Sequence, residues 1–563
     1  MAIIDKKQPV SASQSTGREF LNQYIKQEKS ALRSAVIAGS FSTILLIFQW
    51  LAFVYIAQAI IIEQKPVSSQ NHLLFILFGC ITGRVFLTRI QTYFSQQASL
   101  NIRSSIRNAI LTHWRQSSPV HLKNTSTGAL ASQFIEEVEA MDGYFSNYWP
   151  QQALAIISPL FILCAIAFLN WLAALLLLIS APLIPLFMIL VGMGAEALNQ
   201  KYSTIRQRLA GHFLDRVANL STILQLGAQV EVFDEVESNS ERYRDVVMKT
   251  LKVAFLSSTV LEFFTSIAIA MLAIFIGFSL YGAITWGPAE SLSLFSGLTI
   301  LILAPEFFQP LRNLSQFYHD RASALGAANN LVRALSHNHK IIGSHENIEN
   351  YEVLENHSYS STRLILSNLV VGFEHPLTTP LNLDISPGSM VVISGDSGSG
   401  KTTILNTLAQ FIPPLSGLIK ISPTSENPMA YLPQKPWIKN NTIYENLKSL
   451  APNASRTEMI EVLNQLGLFD ELVINHLGLD TVIGEHGQGL SGGQMQRMAF
   501  TRALLNPTPI IIFDEPSAQL DLNSKELIYK ALKRLKNNRI LIIASHDPLL
   551  IKLSDHHINL ATD

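Results

Sequence analysis

Six apolar runs constrain this chain more than any other feature. They lie at about 35–62, 72–94, 152–169, 171–193, 253–283 and 291–318, and a helix needs roughly 20 apolar residues to cross a bilayer core. In lipid every backbone amide and carbonyl must pair within the segment, so runs of this length fold as spanning helices. The third and fourth are separated only by "LNWL" (Leu169–Leu172), which predicts a tight hairpin. Composition agrees, with 48% hydrophobic and only 15% charged residues. A net charge of −1 gives no electrostatic footprint for nucleic acid. Cys80 and Cys164 both lie in apolar runs, which excludes a disulfide framework and a cysteine-ligated zinc site. No cleavable signal precedes the first run, so that run is expected to stay as a membrane anchor.

Lysine and arginine concentrate in the N-terminal arm and in the long stretches 95–150 and 198–252, while the connections near 63–71, 170 and 284–290 nearly lack them. The positive-inside rule therefore puts the N-terminus and both long loops in the cytoplasm. Six spans return the chain to that side, where its character changes. A polar stretch follows, and then short Ile/Val/Leu-rich strands alternate with helical segments, the pattern of a soluble α/β domain. The expected division is an N-terminal arm over 1–33, a six-helix membrane domain over 34–325, a linker over 326–358 and an α/β domain over 359–563.

The α/β part carries the chemistry. "MVVISGDSGSGKTTILNTLAQF" reads as a buried strand, a glycine-rich turn and a helix. Gly395, Asp396, Ser397, Gly398, Ser399, Gly400, Lys401 and Thr402, followed by Thr403, satisfy the phosphate-loop pattern. Its glycines let successive N–H groups curl around phosphates at a helix N-terminus. Lys401 would reach the β- and γ-phosphates of ATP, and the Thr402 hydroxyl would ligate Mg²⁺. A second strand, "PIIIFDEP", ends in Asp514 and Glu515, which suits a metal-holding acid beside a water-orienting one. Between them "LSGGQMQRMAFTRALL" opens a long helix on a Ser-Gly-Gly turn, another anion site.

Together these motifs resemble the nucleotide-binding domain of ATP-binding cassette (ABC) proteins over the last 200 or so residues. On that resemblance Gln434 in "YLPQKPW" is the Q-loop residue and a further Mg²⁺ ligand. Leu490, Ser491, Gly492, Gly493 and Gln494 form the signature, Asp521 ends the D-loop, and His546 in "IIASHD" is the switch histidine. Phe373 stands where the family stacks an aromatic ring on adenine, although a core phenylalanine fits there too. The resemblance implies two cassettes sharing two ATP, with Glu515 polarising water and His546 holding it in register with the γ-phosphate. Two departures appear. Only 33 positions separate Lys401 from Gln434, and the 17 residues after His546 lack the expected Asp-Gly-hydrophobic strand and terminal helix, which puts the packing there in doubt.

Six spans joined to one cassette resemble half of an ABC exporter with the type I exporter fold. The stretches 116–128 and 218–229 are candidates for its short transverse coupling helices. Within the family the membrane half is similar to the CydD-type subunits of CydDC exporters. That similarity rests on "APLIPLFMILVGMGAEA" (Ala181–Ala197), "LAGHFLDR" (Leu209–Arg216), "AFLSSTVLEFFTS" (Ala254–Ser266) and "LILAPEFFQPLR" through "FYHDRASALGAA". It implies a CydC-like partner half in a bacterial inner membrane, export of cysteine and glutathione in support of cytochrome bd assembly, and an association with haem. Haem as cargo, and a homodimeric lipid or drug flippase, are the alternative readings.

Arg84, Glu262 and Glu306 fall inside apolar runs. Facing lipid, they would together cost on the order of 8–10 kcal/mol on insertion scales, so they must face a partner or a water-filled path. Pro305 and Pro310 flank Glu306 and each removes one helical hydrogen bond, which predicts a locally loosened helix. Arg312 and His319, seven residues apart, share a face with Gln316 between them. Arg312 and His319 could hold an anionic thiol peptide or haem propionates, and Arg84, as a substrate clamp, Glu262, Glu306 and Tyr318 complete the candidate substrate or haem residues. The simpler reading is that Glu306 pairs with an arginine on another span and that Tyr318 is an interfacial aromatic.

Overall fold

In the computed structural model, which describes residues 16–182, 216–336, 351–353, 362–422, 428–472, 478–484 and 490–560 apart from positions 126, 218, 285, 291, 374 and 519, the chain divides into two units. One comprises Met1–Arg115 and Thr125–Asn338, the other Gln116–Asn124 and His339–Asp563.

The first unit is helical. Thr16 opens α1 (Gly17–Gln27) with a capping box: the Glu19 N–H donates to Thr16 Oγ1, and the Thr16 N–H donates to Glu19 Oε2 at 2.9 Å. Its apolar stripe of Phe20, Leu21, Tyr24 and Ile25 is buried in one cluster with Ala324, Ala327, Ala328 and Leu331. This part of the N-terminal arm is therefore a packed helix. Next come α2 (Lys29–Ile61), α3 (Asn71–Gln116), α5 (Thr127–Phe134) and α6 (Glu136–Glu139), while α4 (Pro119–Asn124), between α3 and α5 along the chain, belongs to the second unit. A π-helical turn, Tyr144–Tyr148, leads into α7 (Trp149–Leu169), followed by α8 (Trp171–Ser180), α9 (Leu220–Gln225), α10 (Gln229–Leu280) and α11 (Leu294–Ser336). Short helices α4 and α9 thus form inside both stretches read as coupling segments.

Asn170 makes the hairpin that "LNWL" predicts. It caps α8 by accepting from the Ala173 N–H at 3.0 Å, and its Nδ2 donates to the Pro288 carbonyl at 3.0 Å. Five helices among the described residues are long and apolar enough to span: Lys29–Ile61, Val67–Gln116, Gly128–Leu169, Glu262–Leu280 and Leu294–Ser336. The fourth apolar run begins as α8, and its remainder lies outside the described residues, as do 183–197 and 209–215 of the two blocks named above. At ~1.5 Å per residue, the 46 residues of α3 and the 52 of α10 are each more than twice as long as a bilayer core is thick. The membrane core joins Leu46 and Ile47 of α2 to Ile162, Ile166, Leu272, Leu303, Phe307 and Phe308. Small residues allow the close approach: a Cβ on Gly39 would lie 2.7 Å from Leu154 Cδ1 of α7.

α11 is one helix through Pro305 and Pro310, and it differs from expectation in running to Ser336, into the stretch read as linker. The second proline has an external partner, since Gln151 Nε2 of α7 donates to the Pro310 carbonyl at 2.9 Å. This bond ties α11 to α7 beside the interrupted stretch of the ladder.

The second unit is built on a five-stranded parallel sheet in the order β11-β4-β10-β9-β6. Its strands are β4 (Met390–Gly395), β6 (Met429–Leu432), β9 (Ile510–Asp514), β10 (Ile540–Ala544) and β11 (His556–Leu560). The central three are buried on both faces, as their unbroken Val/Ile/Leu runs require. A second sheet has the order β1-β5-β2-β3, from β1 (Tyr351–Val353), β2 (Arg363–Val370), β3 (Leu381–Ile385) and β5 (Ser416–Ser422). A minimal pair joins β7 (Asn441–Thr442) to β8 (Val482–Ile483). The helices here are α12 (Lys401–Leu408), α13 (Ile443–Lys448), α14 (Arg456–Gln465), α15 (Phe469–Leu472), α16 (Gly492–Leu505), α17 (Leu522–Lys536) and α18 (Pro548–Leu553).

β11 corrects the doubt about packing after His546. "HHINL" forms a strand parallel to β4, and Asp555 just before it accepts from the Met390 N–H at 2.7 Å. Ser394 Oγ lies 2.6 Å from His557 Nε2. The Leu560 carbonyl abuts Gly395, where a Cβ would approach it to 2.7 Å. The strand therefore buttresses the entry to the phosphate loop.

Candidate nucleotide site and membrane charges

The glycine-rich turn sits between β4 and α12, at the carboxyl ends of the parallel strands, where open α/β sheets bind ligands. Gly398 and Gly400 have φ of 88° and 94°, and Gly400 occupies the N-cap of α12. These left-handed conformations leave the loop's N–H groups facing one concavity. Lys401 is buried and donates from Nζ to the Gly395 and Asp396 carbonyls, 2.8 Å each. Asp396, Ser397 and Gly398 are exposed at the loop's rim, Ser399 donates its N–H to the Asp396 carbonyl at 3.2 Å, and Thr403 is half-buried on α12.

Thr402 Oγ1 donates to Asp514 Oδ2 at 3.0 Å. Asp514 is buried, and the Tyr431 hydroxyl also reaches its Oδ2, at 3.4 Å. Burial first, and then the Asp514 charge, raise the Tyr431 hydroxyl well above its ordinary range, so it stays a donor. The neighbouring Glu515 has φ 47°, uncommon for a side chain with a Cβ, and its N–H donates to the Ala544 carbonyl at 3.0 Å. This turn presents the carboxylate to two groups. Gln434 Nε2 donates to Glu515 Oε2 at 3.1 Å, and His546 Nδ1 lies 3.7 Å from Oε1. Thr402 and Asp514, 112 positions apart in sequence, thus meet beyond the tips of β4 and β9.

The signature turn is built as the sequence suggests. Ser491 caps α16 in a capping box with Gln494, Gly492 and Gly493 form the first turn, and Leu490 packs on the core. Gln496 Nε2 donates to the Glu515 carbonyl at 3.4 Å, tying this helix to the acid. Asp521 caps α17 by accepting from the Ser524 N–H at 3.2 Å, and Ser524 holds its carboxyl below the usual range. Phe373 is 62% exposed, which removes the core-phenylalanine alternative.

Three supports escaped the sequence reading. Arg497 of α16 forms a two-pronged pair with Glu471 at 2.7 and 3.1 Å. Arg502 donates to the Asn446 side-chain oxygen at 2.7 Å and to the Trp437 carbonyl at 2.6 Å. Asp547, next to His546, accepts from Ser517 at 3.1 Å and from Tyr529. Burial opposes its charge, but these bonds hold its carboxyl below the usual range. The available signal was an asparagine or arginine on an otherwise apolar helical stripe.

The membrane candidates do not converge on one point. Arg312 Nη2 of α11 pairs with Glu262 Oε2 of α10 at 3.1 Å. Glu306 accepts a 3.4 Å bond from Trp50 Nε1 of α2, so its partner among the described residues is an indole and not an arginine. Tyr318 packs on the cluster that buries α1 and accepts from Arg321 Nη1 at 2.9 Å, and His319 is exposed. Arg84 borders a separate cavity on α3. Neutralising either half of the Glu262–Arg312 pair strands the other charge near the membrane. Glu262→Gln with Arg312→Gln should therefore be more heat-stable in lipid nanodiscs than either single variant, whereas strictly additive losses would deny the coupling.

Comparison with known proteins extends this geometry. Residues 32–303 match the family described as ABC transporter transmembrane region, and residues 378–518 match the family described as ABC transporter. The chain is 34% identical over 544 residues to the glutathione/L-cysteine transport system ATP-binding/permease protein CydD of Escherichia coli strain K12, covering 93% of this chain and 91% of that one. It is 31% identical over 456 residues to the corresponding CydC protein of Bacillus subtilis, covering 79% and 77%. A solved bacterial Atm1-family ABC exporter superposes with a TM-score of 0.77 at 18% identity, over 95% of this chain and 93% of that one, a likeness of fold.

Proposed function

The chain belongs to the ABC transporter family, an ATP-hydrolysing, multi-pass protein of the bacterial inner membrane, and from that premise we propose that it is the CydD-type half of a heterodimeric exporter of small thiols, glutathione and cysteine. The observation that carries this reading is the 34% identity to a CydD protein across 93% of the chain, which includes the membrane half where cargo is handled. Charges on α3, α10 and α11 weigh against a lipid flippase, which needs a broad apolar cavity.

ATP lies on the phosphate loop in this reading. Lys401 exchanges its carbonyl partners for phosphate oxygens, and the loop N–H groups hold the remainder. The Thr402 hydroxyl and Asp514 carboxylate, 3.0 Å apart, form an all-oxygen donor set that suits Mg²⁺, and Gln434, bonded to the adjoining Glu515, would add its amide oxygen. That ion neutralises phosphate charge when bound. Glu515 orients the attacking water and takes up its proton, and His546 keeps Glu515 in register with the γ-phosphate. Phe373 stacks on the adenine. The signature of the partner half completes this site, and Ser491–Gln494 of this chain complete the partner's.

Affinity purification of the tagged chain from its native membrane tests the pairing. A non-identical half-transporter in equal amount, with ATPase activity only in the mixed complex, is the expected result. A fully active homodimer would refute the heterodimer.

A further inference from the structure

Two arginines on α3 have no acid beside them. Arg84 and Arg89, with Gln49 of α2 and with Ile81, Val85 and Thr88, line one cavity of 440 Å³. Among the described residues neither guanidinium has a hydrogen-bonding or ion-pair partner, whereas Glu262 is taken by Arg312 and Glu306 by Trp50. Gln49 adds a buried amide oxygen that also has no partner among those residues. At ~1.5 Å per residue, Arg84 stands about 20 Å and Arg89 about 27 Å along α3 from Asn71, both within a hydrocarbon core about 30 Å thick. An uncompensated guanidinium as deep as Arg84 marks a substrate or ion path, and Arg89 extends that path toward the far edge of the core. The volume lies inside the range of about 300–1,000 Å³ typical of small-molecule sites.

We propose that Arg84 and Arg89 form an anion subsite in the membrane domain that receives the carboxylates of a small organic anion during transport, with the Gln49 amide oxygen free to accept from a ligand that carries an N–H, as glutathione does. Planar guanidinium forks suit carboxylates, each by paired N–H donors. Thr88 supports this face, because its hydroxyl donates to the Arg84 carbonyl at 2.9 Å and lies 3.4 Å from Ser42 Oγ of α2. The inference rests on the transport reading above and adds the part of the cargo that is recognised. Glutathione and haem both offer two carboxylates.

The test uses the complete two-chain complex in nanodiscs of zwitterionic lipid, with calorimetric titration of four probes: glutathione, its dimethyl ester, haem and haem dimethyl ester. On the unaltered complex the free acids should bind at least about tenfold more tightly than their esters. Arg84→Gln and Arg89→Gln should each erase that preference, and the lysine variants should recover part of it. Equal binding of acid and ester to the unaltered complex would overturn the subsite, a result that depends on no variant folding. So would an anionic phospholipid held at the two arginines that glutathione fails to displace. If haem shows the acid preference and glutathione does not bind, the subsite stands and the thiol cargo falls. If glutathione binds with no dependence on either arginine, the thiol cargo stands and the subsite falls.

Discussion

Glu515→Gln should leave ATP binding intact and lower turnover by roughly 10²–10⁴-fold, the range that a positioned general base contributes. The substitution conserves size, and its amide oxygen still accepts from Gln434 Nε2, now 3.1 Å from the carboxylate. The left-handed backbone at this residue, with its N–H on the Ala544 carbonyl, does not depend on the side-chain charge. Lys401, Thr402 and the loop glycines are untouched, so nucleotide affinity persists. What disappears is the proton acceptor, and the complex should accumulate with ATP bound. Phosphate release and retained nucleotide, measured on the same assembled complex, separate the two effects. Unchanged hydrolysis would move the base elsewhere.

Asn446→Ala should be the most destabilising single change in the nucleotide-binding unit. Asn446 is fully buried, and its side-chain oxygen accepts from the Lys439 N–H at 2.9 Å and from Arg502 Nη2 at 2.7 Å. Its amide donates to the Lys439, Asn441 and Thr442 carbonyls. Truncation strands several backbone groups and weakens the hold on a guanidinium that is only 8% exposed. Leaving a buried charge poorly paired costs about 3–5 kcal/mol. At ~2–4 °C per kcal/mol for a domain of this size, melting should fall by roughly 6–20 °C. The Gln434 segment should loosen as well, because Arg502 also holds the Trp437 carbonyl. Thermal unfolding followed by tryptophan fluorescence, with ATPase measured in parallel, checks both. A shift below about 2 °C would show that the network relaxes around the gap.

The phosphate loop, the acidic tip of β9 and the signature turn were legible because each is a local pattern, in which glycine placement and strand-to-helix order dictate the backbone. Spans were legible for a similar reason, since lipid permits few alternatives. The pairing of Glu262 with Arg312 was not, because sequence gives the charges but not which faces of α10 and α11 meet. Spacing alone put Arg312 and His319 on one face, and packing then assigned Arg312 to Glu262. β11 escaped notice because "HHINL" is polar at alternate positions, as a sheet-edge strand can be, and lacks the anticipated glycine. The bond from Gln151 of α7 to the Pro310 carbonyl is likewise a contact invisible along the chain.

Nucleotide-driven movement of a small thiol is measured most directly in inverted membrane vesicles carrying the two-chain complex. Uptake of radiolabelled glutathione should require ATP, saturate, and vanish in the Glu515→Gln complex. Uptake that continues in that variant, or that proceeds equally well without nucleotide, would contradict the coupling of this ATP site to transport.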